Sequence, residues 1–520
     1  MTGGESPGST KPRPEQAAIL VLGTTASTLA EIVTPLLMVR LITKSDLGVL
    51  SSLMLIFNTA VMIAASGFPR ALLYFLPNRP RAERGAIARR VGLLLFLLGG
   101  LGGLALLAFE SLADPITQLF ASLFGSGASG GAEAAAGGDG QTRAHLELLS
   151  VYMLLDLPTR MLTNMLIVEG RARAAAGTAL VKSLGITAAT LLPAAFGLDI
   201  GGILASLIAF AALYLGLYLA YLIWLYRGAD DGPRRTDVSY RELTTFSIPL
   251  GLTDIVNVLS QGLDRYLIMF FFTAAVFAEY QVGAWKIPII STIAYAVGNV
   301  YLPRFKEAYD QGRPGEAIDI WRQSTLKVAL IVVPAAGAFF VAAEELIGLL
   351  FTSEYLDAVP IFRWYTVLTL GRVTQYGGPI LAAGRPRYIL YASIFTLASN
   401  FVISLPLAVL VGFQGPAIGA ALAFIPTVIF YCWLIAKSSG IGFARTFPLV
   451  GYLRIVALGV VASAVGWGIK LALGLPPAAE LAIVLVAVCA AFGVLGTVFG
   501  MITRQDWRFA LDFVRLRVLR

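Results

Sequence analysis

Charge is scarce in this sequence: Asp, Glu, Lys and Arg make up 13% of 520 residues, against 57% hydrophobic ones, and the mean hydropathy is +0.78. A soluble domain is about one quarter charged, so the composition is that of a membrane protein. Histidine and cysteine are nearly missing. His145 stands alone, and Cys432 and Cys489 both lie in apolar runs. A Cys/His zinc cluster, a haem-attachment motif and a disulfide framework are thereby excluded, and no metal or cofactor is expected. No GxxxxGK[ST] occurs, and Gly99, Gly100, Gly102 and Gly103 fall inside an apolar run, which excludes ATP hydrolysis by a Walker mechanism. Residues 125–142 are Gly/Ala-rich without helical or strand period and read as a flexible linker.

What is abundant is apolar length. A spanning helix needs roughly 20 residues, and runs of that length recur at 18–39, 47–66, 91–109, 147–168, 174–197 and 201–226. After a polar stretch they resume at 245–272, 283–303, 325–351, 359–383, 388–411, 415–436, 451–473 and 479–502. The expected fold class is therefore an all-α polytopic membrane protein of about 14 transmembrane helices. No small-residue cleavage site follows the first run, which reads as a retained helix.

Loop charge tests the count, because cytoplasmic loops collect Lys and Arg. With the N-terminus inside, the inside loops hold Arg79 to Arg90, Arg171 and Arg173, Arg227 to Arg241, Arg304 to Arg322, Arg385 and Arg387, and Lys437 to Arg454. Most of the alternate loops are acidic or uncharged. Both termini are thus expected in the cytoplasm, and the net charge of +8 follows from topology without a nucleic-acid partner. Two junctions repeat: Gly170-Arg171-Ala172-Arg173 after the fourth run and Gly384-Arg385-Pro386-Arg387 after the tenth. Their equal ordinal place argues for two parallel six-helix lobes plus a terminal pair. The expected organisation is a cytoplasmic polar tail (1–17), an N-lobe (18–226), a cytoplasmic linker (227–244), a C-lobe (245–437), a helix pair (438–502) and a basic amphipathic tail (503–520) that lies on anionic lipid.

Several short motifs, taken in order, resemble one family. The first helix closes on Val39-Arg40-Leu41-Ile42 before Leu47-Gly48, and Gly67-Phe68-Pro69 and Leu76-Pro77 follow the second. Leu263-Asp264-Arg265-Tyr266-Leu267-Ile268, Glu279-Tyr280, Leu302-Pro303 and Ala382-Ala383-Gly384-Arg385-Pro386 continue the series. In this the chain resembles the polysaccharide-unit (Wzx-type) flippases of the multidrug/oligosaccharidyl-lipid/polysaccharide (MOP) exporter superfamily. One departure is Glu279, where members often carry Gly before the Tyr. The resemblance implies a MATE/MOP-like fold. It also implies translocation of a polyprenyl-pyrophosphate-linked oligosaccharide from the inner to the outer leaflet through a central cavity, by alternating access, in the cell inner membrane. Pathway partners would be a polysaccharide polymerase and glycosyltransferases.

Ionisable groups at membrane depth cost several kcal/mol unless paired or wetted. The basic candidates are Arg70, Arg160, Lys182, Arg265, Lys286, Lys327, Arg363 and Arg372, and the acidic ones Glu31, Asp156, Asp254 and Asp264. The basic excess suits a pyrophosphate, so Arg265, Lys286, Arg372, Arg363, Arg70 and Lys182 are the expected cavity cations. Glu31, Asp264, Asp156 and Asp254 are the expected coupling or structural acids. Asp156 and Arg160, at i,i+4, are expected to pair along one face. Asp264 and Arg265 are adjacent, so their side chains diverge by roughly 100°. A peptidoglycan-precursor flippase shares the polyprenyl pyrophosphate and stays open as an alternative. A cation-coupled drug exporter is disfavoured by the basic excess. A membrane glycosyltransferase or polymerase would require a structured outside domain that the loops do not supply.

Overall fold

The computed structural model describes residues 30, 32–108, 122, 140–227, 236–285, 287 and 301–503. Among them there are helices and turns and no strand. Glu31, Lys286, the first 29 residues, most of the Gly/Ala-rich tract and the tail from residue 504 lie outside the described residues. The helices are α1 (Ile32–Leu41), α2 (Lys44–Ala65), α3 (Phe68–Phe75), α4 (Arg81–Leu107), α5 (Gly140–Asp156), α6 (Leu162–Val168), α7 (Ala172–Ala195), α8 (Ile200–Tyr226) and α9 (Tyr240–Phe271). They continue as α10 (Ala274–Gly283), α11 (Pro314–Val341), α12 (Ala343–Phe351), α13 (Val359–Gly371), α14 (Gly377–Ala382), α15 (Arg387–Val411), α16 (Gly415–Ser439), α17 (Leu449–Leu473) and α18 (Pro477–Val498). Residues 301–310 are also helical.

Among the described residues, ten helical stretches are long and apolar enough to cross a membrane, one of them the α15–α16 pair at Arg387–Ser439. The chain is thus a multi-pass membrane protein. Among the expected spans, 18–39 and 283–303 lie largely outside the described residues. The expected single span at 359–383 is broken: α13 stops at Gly371 and α14 starts at Gly377. Gly377, Gly378 and Pro379 explain the restart, since glycine weakens a helix interior and proline suits its first turn. The carbonyls freed at the break are not orphaned. Tyr376 Oη donates to the Gly371 carbonyl at 2.9 Å and Tyr452 Oη to that of Leu370, as membrane depth demands. Likewise the expected span 325–351 is two helices, turning at Ala342.

The chain divides into two compact units, and the division falls between Val258 and Leu259, inside α9. In the first, a glycine seam sets the packing of α4 on α5. A Cβ on Gly103 would lie 3.0 Å from the Ser150 carbonyl oxygen, and one on Gly102 2.3 Å from Met153 Cε. Ser150 Oγ fills the seam by donating to the Gly103 carbonyl at 2.8 Å, the small-residue device of membrane helix pairs. The second close approach is at Gly67, whose φ of +76° only glycine adopts freely. Its missing Cβ leaves room for the Ser247 carbonyl and for Gly251, bringing α9 backbone to backbone with the α2–α3 turn. In the second unit, Val328, Val332 and Val333 of α11 pack with Leu458 and Ala462 of α17 and Val488 and Phe492 of α18. A second core gathers Trp321, Tyr376, Ile380, Leu434 and Ile435.

The two Gly-Arg-x-Arg junctions fold as the same turn. Gly170 and Gly384 have φ of +70° and +71°. Arg171 N donates to the Leu166 carbonyl and Gly170 N to that of Ile167, while Arg385 N donates to Ile380 and Gly384 N to Leu381. Each is the glycine-terminated helix end in which two amides return to the last turn.

Candidate functional site

In the first unit, two of the expected cavity cations, Arg70 and Lys182, and the candidate Arg160 meet carboxylates. Asp156 is buried and accepts from Arg160 Nε at 2.8 Å through Oδ2 and from Lys182 Nζ at 2.6 Å through Oδ1. Lys182 also donates to Thr159 Oγ1 at 2.8 Å and lies 5.6 Å from the Tyr214 ring centre. The i,i+4 pair read from the sequence is therefore present, with Lys182 added from α7. One carboxylate here holds two cations, and every donor direction of Lys182 that the structure describes is spoken for. Arg70 of α3 forms an ion pair with Asp254 of α9. The Gly67/Gly251 contact makes this possible, because Arg70 and Asp254 each lie one turn beyond the touching glycines.

In the second unit, Arg363 donates to Glu344 Oε1 at 3.2 Å and to the Phe340 carbonyl at 3.3 Å. Lys470 of α17 reaches Glu344 at 3.0 Å and Glu345 at 2.7 Å, and Trp467 lies under Arg363 at 5.2 Å. This network ties α12, α13 and α17 together. Burial alone would raise the Glu344 carboxyl, but the hydrogen bonds and charges of Lys470 and Arg363 hold it below the ordinary carboxylate range.

Asp264 is the centre of a further cluster in that unit. Gly283 of α10 is the hinge of the arrangement: a Cβ there would lie 2.6 Å from Ile361 Cβ and 2.7 Å from the Ala358 carbonyl. That contact seats α10 directly on α13 and brings Tyr280 and Tyr365, each about one turn away from it, edge to face at 6.4 Å. Both hydroxyls donate to Oδ2 of the buried Asp264, Tyr280 at 3.0 Å. Asp264 is also the carboxylate whose charge acts on Arg372, and Arg265 acts on Tyr280.

The two arginines differ from the described candidates that meet carboxylates. Arg265 is half-buried, and its Nε is buried without a hydrogen-bond partner among the described residues. Arg372 occupies the end of α13, at the break, with its side chain exposed and in no hydrogen bond or ion pair among the described residues. Lys327 of α11 is also half-buried and unpaired among the described residues. The sequence reading missed Tyr365. The family motif pointed to Tyr280, but a tyrosine in an apolar helix gives no sign that its hydroxyl meets a carboxylate from another helix.

A model of the family described as "Polysaccharide biosynthesis protein" matches residues 169–360. The probable low-salt glycan biosynthesis flippase Agl15 of Haloferax volcanii is 20% identical over 224 residues, 42% of this chain and 46% of that protein. The match thus spans about half the length of the curated relative. Among solved structures, the Lipid II flippase MurJ in an inward closed conformation superposes with a TM-score of 0.58 at 13% identity, over 91% of this chain and 98% of that one. An inward-facing multidrug resistance MATE family transporter of the MOP superfamily gives 0.57 at 16% identity, over 81% and 96%. The chain has the fold of these MOP-superfamily transporters, and part of its sequence resembles a polysaccharide-biosynthesis family and a glycan flippase.

Proposed function

We propose that the chain is a flippase, with no catalytic step, that carries a polyprenyl-pyrophosphate-linked oligosaccharide from the cytoplasmic to the outer leaflet of the inner membrane by alternating access. Both termini lie in the cytoplasm. The observation that supports the reading is that neither Arg265 nor Arg372 has a side-chain hydrogen bond or ion pair among the described residues. Such groups persist where water or an anion meets them, and a pyrophosphate supplies that anion. Lys286 is assigned to the same role from its position in the sequence. Asp264, held by Tyr280 and Tyr365, sets the local charge balance, while Arg70, Lys182 and Arg363 hold helices together through Asp254, Asp156 and Glu344. An exporter of organic cations would require the opposite excess.

The test is surface glycan export in a host lacking its own flippase for that glycan. Arg265→Ala, Arg372→Ala and Lys286→Ala are each expected to abolish export while protein levels stay normal. Normal export by all three overturns the assignment. The likeness to MurJ over 91% of the chain favours a second reading, a lipid-linked peptidoglycan precursor as cargo. Rescue of a strain depleted of its precursor flippase, without restored surface glycan, selects that reading.

A further inference from the structure

Residues 358–479 contain no aspartate or glutamate and eight lysines and arginines. Arg385, Arg387 and Lys437 gather where α15 begins and α16 ends, all three exposed. Each of these helices has 25 residues, about 37 Å at 1.5 Å per residue, against a hydrocarbon core of about 30 Å. Their ends therefore reach the headgroup layer. Trp433, Tyr388 and Tyr391 stand near the same end, as aromatic residues do at a membrane–water boundary.

The geometry is convergent. Arg385 Nη1 donates to Tyr388 Oη at 3.2 Å, with its guanidinium 5.7 Å from that ring centre. Lys437 Nζ lies 5.8 Å from the same ring and 5.0 Å from that of Trp433. Two cations, one from the turn before α15 and one from α16, thus share one tyrosine, and none of Arg385, Arg387 and Lys437 has a carboxylate partner among the described residues. Helix 301–310 touches this region through Tyr309 Oη and Ser439 Oγ at 2.6 Å, but its Asp310 is engaged by Lys306.

The matching turn of the first unit supplies an internal comparison. There Arg171 donates to Tyr221 Oη at 3.2 Å and lies 5.1 Å from the Trp224 ring, again a cation held by aromatics. Beside it stands Glu169, which pairs with Arg84 at 3.3 Å and accepts from Tyr226 Oη at 3.2 Å. At the same place in the second turn the residue is Ala383. One turn carries its own anion, and the other keeps the cations without it.

We propose that Arg385, Lys437 and Tyr388 form a site for the phosphate of a membrane-lipid headgroup. The guanidinium and ammonium donate to the phosphate oxygens, the Tyr388 hydroxyl is within reach to join them, and Trp433 marks the glycerol level. Both an anionic phospholipid and a polyprenyl pyrophosphate present this chemistry. The test is lipid binding to the intact purified protein by native mass spectrometry, with phosphatidylglycerol, phosphatidylcholine and polyprenyl pyrophosphate added in turn. Phosphatidylglycerol should bind in preference to phosphatidylcholine. Each of Arg385→Gln and Lys437→Gln should weaken it roughly fivefold and the pair about 25-fold, from about 1 kcal/mol per basic group near the surface. Arg171→Gln should leave it unchanged. If polyprenyl pyrophosphate displaces phosphatidylglycerol and the double variant loses both, the site takes the carrier lipid as well as bulk lipid. Equal binding of the two phospholipids, undiminished binding by the double variant, or an equal loss in Arg171→Gln overturns the proposal. The readout is binding, so failure here leaves the proposed flipping activity untouched, and loss of flipping says nothing about this site.

Discussion

Asp156 shows what a buried carboxylate does when two cations depend on it. With Arg160 and Lys182 both within 2.8 Å, removing the carboxylate leaves Lys182 charged and unmatched. Asp156→Ala should therefore destabilise the protein by about 3–5 kcal/mol, whereas replacing the pair by apolar residues of similar volume is often neutral. The expectation is a large drop in thermal unfolding temperature for Asp156→Ala, most of it recovered in Asp156→Leu/Lys182→Met, with export retained by the double variant. Export lost at normal stability would instead make Lys182 a substrate group. The i,i+4 half of this cluster was legible in the sequence. The α7 half was not, because Lys182 meets Asp156 through tertiary packing, as Arg70 meets Asp254 and Arg363 meets Glu344.

The Glu344 network works at the level of elements, joining α12, α13 and α17 with two carboxylates and two cations. Because the Glu344 carboxyl is held below its ordinary value of 4.5, it favours the folded state when ionised. Its contribution is fully present above the unfolded value and is lost as pH falls through the lower folded one. Thermal stability measured from pH 7 down to pH 3 should fall in that window, and Glu344→Gln should flatten that part of the curve. An unchanged profile would show that Lys470 relies on Glu345 alone. The hydropathy of α11, α15, α16, α17 and α18 made those helices plain in the sequence, and the glycines of α4 lay in a recognisable run. The gap between α13 and α14 was hidden, because a hydropathy window averages over Gly371 to Pro379 and cannot register that hydroxyls from Tyr376 and Tyr452 satisfy the broken backbone. For the same reason Arg372 read as a charge within a span, when it stands at the end of a 13-residue helix.

At the scale of the whole molecule the open question is what drives transport. If the cargo is the proposed lipid-linked pyrophosphate, carrying it outward from a negative cytoplasm moves about two negative charges down the potential, roughly 4 to 5 kcal/mol at 100 mV from about 2.3 per charge. If Arg265 and Arg372 line the site as proposed, the return of the empty carrier moves positive charge inward, which the same potential favours. Neither half-cycle then requires a dedicated ion site. In proteoliposomes, a potassium-diffusion potential without a proton or sodium gradient should support flipping of the lipid-linked glycan, and Glu31→Gln should keep most of it. Flipping that requires an ion gradient and disappears in Glu31→Gln would place coupling in the first helix and refute a purely potential-driven cycle. Flipping that tolerates Glu31→Gln but reverses when the potential is inverted would fix the charge carried as net negative, as a pyrophosphate demands.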